Sequence, residues 1–174
     1  MSVIETERLL LRPFVDDDLA ALHAIQSLPD VTRWLYWEPR SLEEARADLE
    51  RKREDPTVVS RAMVIRSSGE LIGDIGLFLG DAVHRGADIG YVVHPDRHGR
   101  GYAVEAGRAM LALAFGELGL HRVCGRLEPR NAASGRVLER LGMRREALLV
   151  ENEWVKGEWQ SEAIYAILAS EWRP

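Results

Sequence analysis

The chain has 174 residues, a formal net charge of −5, 46% hydrophobic and 29% charged residues. That length suits one domain over 1–174 with a substantial core, the composition is that of an ordinary soluble globular protein, and the acidic balance argues against nucleic acid as a partner. No apolar run approaches the roughly 18–20 residues of a membrane span, and MSVIETERLLLRPF at the start carries acids and no signal-peptide core, so a cytoplasmic protein is expected.

In chain order, Thr6–Phe14 reads as a first strand. Asp16, Asp17 or Asp18 caps a helix through about Gln26, with Leu19, Leu22 and Ile25 inward. An aromatic-rich segment, VTRWLYWEP, follows at Val31–Pro39. Ser41-Leu42-Glu43-Glu44 fits a capping box and opens a second helix, with Leu42, Ala45 and Leu49 on its buried face and an end near Pro56. Ala62–Arg66 and Leu71–Leu79 pair as strands across a hairpin turn at Ser67-Ser68-Gly69.

The stretch Ile89–Glu105, IGYVVHPDRHGRGYAVE, changes period within itself. Ile89, Tyr91, Val92 and Val93 form a strand that Pro95 stops; Gly99 and Gly101 flank Arg100 in a turn; Val104, Gly107, Leu111, Ala114, Phe115 and Leu118 then recur at helical spacing. Strand, glycine loop and helix N-terminus together aim unpaired N–H groups and the positive end of a helix dipole at one spot, which suits a pyrophosphate. His121–Leu127 is the next strand, ended by Pro129, with Cys124 as a packing residue; a lone cysteine excludes an intrachain disulfide. Asn131 caps a short helix with Ser134, Val137, Leu138 and Leu141 on one face and Gly142 at its C-cap. Met143–Leu168 reads as two strands about a turn at Lys156-Gly157.

Two familiar phosphate loops do not fit. A dinucleotide fingerprint requires Gly or Ala at 104, which is Val, and a P-loop requires Gly-Lys-Ser/Thr, which is absent. His98-Gly99-Arg100-Gly101-Tyr102-Ala103 instead resembles the acetyl-CoA loop of the GNAT N-acetyltransferases, Gln/Arg-x-x-Gly-x-Gly/Ala, with His98 departing from the usual first residue. With Glu105-Ala106 following, it is similar to the branch that includes the ribosomal-protein N-terminal acetyltransferases. Glu7-Arg8-Leu9-x-Leu11-Arg12 and Asn131-x-x-Ser134-x-x-Val137-Leu138-Glu139-x-Leu141-Gly142-Met143 are two further anchors, so the resemblance spans nearly the whole chain. It implies an α/β (α+β) GNAT fold: one mixed, mostly antiparallel sheet of seven strands, about four helices, and a central parallel pair splayed to admit CoA.

The resemblance also implies acetyl-CoA as cosubstrate, no metal, and direct attack of an amine in a ternary complex. His98 and Gly99 belong to the loop, and the N–H groups of Arg100, Gly101, Tyr102, Ala103 and Val104 take the pyrophosphate. Val92 and Val93 pair with the pantetheine arm, an N–H near Val93 polarises the carbonyl, and Asn131 adds a side-chain bond to the arm, although an N-cap role alone explains Asn there. Many family members carry a Tyr seven residues after this Asn as the acid beside the sulfur; here it is Leu138, and this branch offers Ser134 instead, a residue that as a helix N3 hydroxyl also bonds the cap. The branch's base maps to Glu153, with Asp88 a second candidate. An α-amino group, with a reference pKa of about 7.7–8.0 against about 10.4 for Lys, needs only a weak base. Trp34, Tyr36, Trp37, Glu38 and Trp154 are the candidate acceptor wall, with core or dimer packing as the alternative use of clustered aromatics. A peptide N-terminus is the preferred acceptor. The rivals are a small amine (aminoglycoside, polyamine or amino acid), a succinyl-type donor, and a non-catalytic acyl-CoA-binding module; a homodimer is compatible.

Overall fold

The computed structural model describes residues 3–173. Its eight strands are β1 (Ile4–Glu5), β2 (Leu9–Arg12), β3 (Val58–Ile65), β4 (Leu71–Leu79), β5 (Gly86–Val93), β6 (Arg122–Leu127), β7 (Arg144–Val155) and β8 (Glu158–Leu168). They form one sheet in the order β1-β2-β3-β4-β5-β6-β8-β7, antiparallel except for β5 and β6. The helices are α1 (Leu19–Gln26), α2 (Pro29–Thr32), α3 (Leu42–Glu54), α4 (Tyr102–Gly116) and α5 (Ala132–Arg140).

This is the expected mixed GNAT architecture, with one strand and one short helix more than expected. The extra strand, β1, lies ahead of the expected Thr6–Phe14 strand, which is itself narrowed to Leu9–Arg12 as β2. Thr6 N–H donates to the Leu9 carbonyl at 2.9 Å and the Thr6 hydroxyl accepts Leu9 N–H at 2.9 Å, closing a turn that folds β1 back on β2. The extra helix, α2, starts on Pro29, whose fixed φ suits a first helical turn. β3 and β5 also begin earlier than expected, at Val58 and Gly86.

Alternation on β3 separates two cores. Met63 faces α4 and α5, joining Ile75, Leu77, Ile89, Met110, Leu111 and Leu138; Ala62 and Val64 face α1 and α3, joining Phe14, Leu22 and Leu49. Ser41 caps α3 in the expected box with Glu44, but Leu42 is 49% exposed, because the buried stripe runs through Ala45, Asp48 and Leu49. Gly125 lets α5 approach β6 closely: a Cβ there would sit 2.6 Å from the buried Leu138.

The sheet opens where the site lies. β5 and β6 pair only from Gly86↔Arg122 to Asp88↔Cys124, yet β5 runs on to Val93 and β6 to Leu127. The parallel strands part beyond Asp88, as a splayed pair requires. β4 and β8 keep the outer edges of both strands paired, so the opening lies in the middle of the sheet.

Candidate active site

The glycine loop sits at the mouth of this opening, between β5 and α4. Gly99 and Gly101 both have positive φ (72° and 82°), with Gly101 as the left-handed N-cap of α4. The N–H groups of residues 99–104 donate to no acceptor among the described residues; the first amide of this stretch to do so is Glu105, to the Gly101 carbonyl at 3.0 Å. A run of free N–H groups on a helix N-terminus is an anion cradle.

Within the opening, register decides which β5 groups are available. His94 N–H bonds the Ile72 carbonyl at 2.7 Å, beside the facing pair Gly73↔Val93. This makes Gly73↔Val93 a non-hydrogen-bonded pair, so Val93 turns its N–H and carbonyl away from β4, toward the gap that β6 vacates. Val92, the residue before it, is the hydrogen-bonded partner of Asp74 and turns its own N–H and carbonyl to β4, not to the gap. The Val93 carbonyl meets Nε2 of His98 at 2.8 Å, and because a carbonyl only accepts, Nε2 carries the proton.

Across the gap, Asn131 caps α5: its side-chain oxygen accepts Ser134 N–H at 3.2 Å, while its amide NH2 donates to no described residue. Ser134 Oγ lies 2.8 Å from Oη of Tyr91 on β5, which also reaches the Ser134 carbonyl at 3.1 Å. Burial pushes the Tyr91 phenol up to about 12, with the bond to Ser134 opposing, so it stays protonated at neutral pH.

Beside the gap is a recess of about 100 Å³ lined by residues that include Trp34, Tyr36, Glu128, Glu153 and Glu162. The β7–β8 turn at Lys156 and Gly157, both with positive φ, brings the hairpin against the aromatic segment. There Lys156 Nζ donates to the Thr32 carbonyl at 2.7 Å and lies 3.7 Å from Glu38. Tyr36 Oη donates to Glu153 at 2.7 Å; local burial and that carboxylate raise the phenol to about 12, although the ring is largely exposed. Arg130 reaches Glu128 at 3.1 Å and Glu158 at 2.7 Å; Arg126 reaches Glu162 at 3.2 Å and Asp88 at 3.3 Å. Burial raises the Glu128 carboxyl, but Arg130 and two backbone N–H groups outweigh it and hold it below the usual carboxylate range. Among the described residues, Glu153 is the carboxylate of this recess without a cationic partner.

The structure thus brings Trp34, Tyr36 and Glu153 together but spreads the other wall residues. Trp37 stacks on Arg40, Glu38 points to Lys156, and Trp154 packs on Trp159 at 5.4 Å outside the recess. Asp88 lies in a separate shallow recess with Phe78 and Cys124. Tyr91, Glu128 and Glu162 belong to no motif that marks them as site residues in the sequence. Their one local signal is Glu128, at the end of a strand before Pro129.

An acetyltransferase (GNAT) domain model matches residues 8–144. The uncharacterized N-acetyltransferase YnaD of Bacillus subtilis is 33% identical over 97% of this chain and 98% of that protein. YdaF of the same organism, whose name places it provisionally among ribosomal N-acetyltransferases, is 31% identical over 94% of this chain and 91% of its own. The spermidine N(1)-acetyltransferase of Escherichia coli K12 is 25% identical over 87% and 81%. The crystal structure of a GNAT-family acetyltransferase from Bacillus anthracis superposes with a TM-score of 0.91 at 32% identity, covering 98% of this chain and all of that one. Family model, relatives and the parted parallel strands agree: the chain belongs to the GNAT superfamily and is an acetyl-CoA-dependent N-acetyltransferase.

Proposed function

We propose that this chain, as one domain over 1–174, acetylates the α-amine of a peptide or protein N-terminus in the cytoplasm. The observation that carries this reading is the charge of the recess. Arg130 and Arg126 answer Glu128 and Glu162, which leaves Glu153 to face the acceptor. One unanswered carboxylate suits a single ammonium group, whereas a polyamine offers several. The relatedness to ribosomal-type enzymes supports the same acceptor, while the spermidine enzymes keep the polyamine as the alternative to be tested. The exposed Trp154–Trp159 pair supports a homodimer.

Acetyl-CoA supplies the acetyl group as a thioester. Residues 99–104, with His98 shaping the loop, hold the pyrophosphate on their N–H groups. Val93, with Val92 as its strand neighbour, borders the pantetheine arm in the gap, and Asn131 offers its free amide from the other side. Val93 N–H polarises the thioester carbonyl. Glu153, oriented by Tyr36, takes the amine proton through water; an α-amine is already partly neutral at pH 7, so this base need not be strong. The acceptor nitrogen bonds the acyl carbon, the carbon–sulfur bond breaks, and Ser134 Oγ–H holds the departing thiolate. Asp88, tied to Arg126, acts on the charge of the recess rather than on the amine.

Steady-state kinetics with acetyl-CoA separate the acceptors. Peptides with a free small N-terminal residue are expected to show higher kcat/KM than N-blocked Lys peptides or spermidine, and Glu153→Gln is expected to lower kcat by about 10²-fold. Turnover of spermidine but not of peptides would contradict the assignment.

A further inference from the structure

Glu105 stands in the first turn of α4, beside the loop N–H groups, where a free carboxylate would repel a phosphate. It is not free. Its carboxylate accepts the Thr6 hydroxyl at 2.6 Å, Arg8 N–H at 2.7 Å and Arg8 Nε at 2.7 Å, and lies 2.7 Å from Arg8 Nη2. The same guanidinium also reaches the loop itself. Arg8 Nη1 donates to the Arg100 carbonyl at 2.9 Å while the group lies 4.7 Å over the Tyr102 ring. A Cβ at Gly101 would stand 3.4 Å from Nη2, so the guanidinium lies directly against the loop.

The carbonyl and N–H of a trans peptide point to opposite sides. Holding the Arg100 oxygen toward Arg8 therefore holds the Gly101 N–H away from it, on the open side of the loop. We propose that Arg8, held by Thr6 and Glu105, is the positioning residue of the phosphate loop: it fixes the Arg100–Gly101 peptide and cancels the Glu105 charge, so that the 99–104 N–H groups are preset for a pyrophosphate. The inference rests on the reading of this loop as the CoA site. Lysine does not replace it, because an ammonium point charge does not span Glu105 and the Arg100 carbonyl as the planar fork does.

Calorimetric titration of the full chain with CoA, and with pantetheine in competition, isolates the phosphate contribution. Wild-type affinity for CoA tests the loop reading, and the ratio between the two ligands tests Arg8. Arg8→Gln is expected to weaken CoA by about tenfold or more while leaving pantetheine within about twofold, and Arg8→Lys is expected to recover only part of the loss. An unchanged CoA affinity in Arg8→Gln, or an equal loss for CoA and pantetheine, would overturn the proposal.

Discussion

Ser134 and Leu138 lie one turn apart on α5, and of the two only Ser134 has a hydroxyl, the one assigned to the sulfur in the proposed reaction. The phenol seven residues after Asn131 is missing, and the phenol that approaches this helix is Tyr91 of β5, with its Oη 2.8 Å from Ser134 Oγ. Tyr91 carries one proton; when it donates to the Ser134 carbonyl, the hydroxyl pair must use the serine proton. Serving the sulfur requires Ser134 to turn from Tyr91, whose own proton is then free to bond Oγ. A thiolate with a reference pKa of about 8.5 leaves with modest help. Ser134→Ala is therefore expected to cost less than about tenfold in kcat with the KM for acetyl-CoA little changed. A loss of several orders of magnitude would show full proton transfer from Ser134.

At the scale of elements, the aromatic segment is seated by α1 and α3. Arg40 N–H bonds the Gln26 carbonyl at 3.1 Å, and its guanidinium pairs with the buried Asp48 at 2.7 Å and stacks on Trp37. Asp48 also accepts Gln26 at 2.7 Å and pairs with Arg51 and Lys52. Burial alone would raise its carboxyl; Lys52, Gln26, Arg51 and Arg40 together hold it down to about 2. Because the folded value lies below the unfolded one of about 3.9, this stability is fully present above pH 4 and is lost as pH falls toward 2; it amounts to about 2 kcal/mol. Asp48→Asn is expected to lose at least that much at pH 7 in urea unfolding and to narrow its deficit at pH 2. A deficit that does not change with pH would rule out the charged role. The loop, its flanking strand and helix, and the Ser41 and Asn131 caps were legible because the hydrophobic period switches and the capping residues mark those boundaries, whereas the Asp18 side chain accepts Val15 N–H and makes no cap bond to α1. The acidic recess was not legible. Glu162 comes beside Glu128 through the β6–β8 register, which faces Leu127 with Ala163, and near Glu153 through the β7–β8 register, which slips between Leu149 and Glu153; no local pattern reports that slip. Leu42 lies off the buried face of α3 because a capping box fixes where a helix starts and not which face it buries.

At the scale of the molecule, the sheet gives up central hydrogen bonds to make a cleft. The β5–β6 pairing is abandoned after Asp88 and Cys124, while Val93, the loop and Asn131 gather unpaired donors along the opening. Buried or cradled donors of this kind call for a partner, and the partner reading predicts a footprint. Hydrogen–deuterium exchange with and without acetyl-CoA reads it directly. Protection is expected at Val93 and across residues 99–104, with α1 and α3 unchanged. Acetyl-CoA binding that protects other segments and leaves those amides exchanging freely would contradict the placement of the cosubstrate between the parted strands.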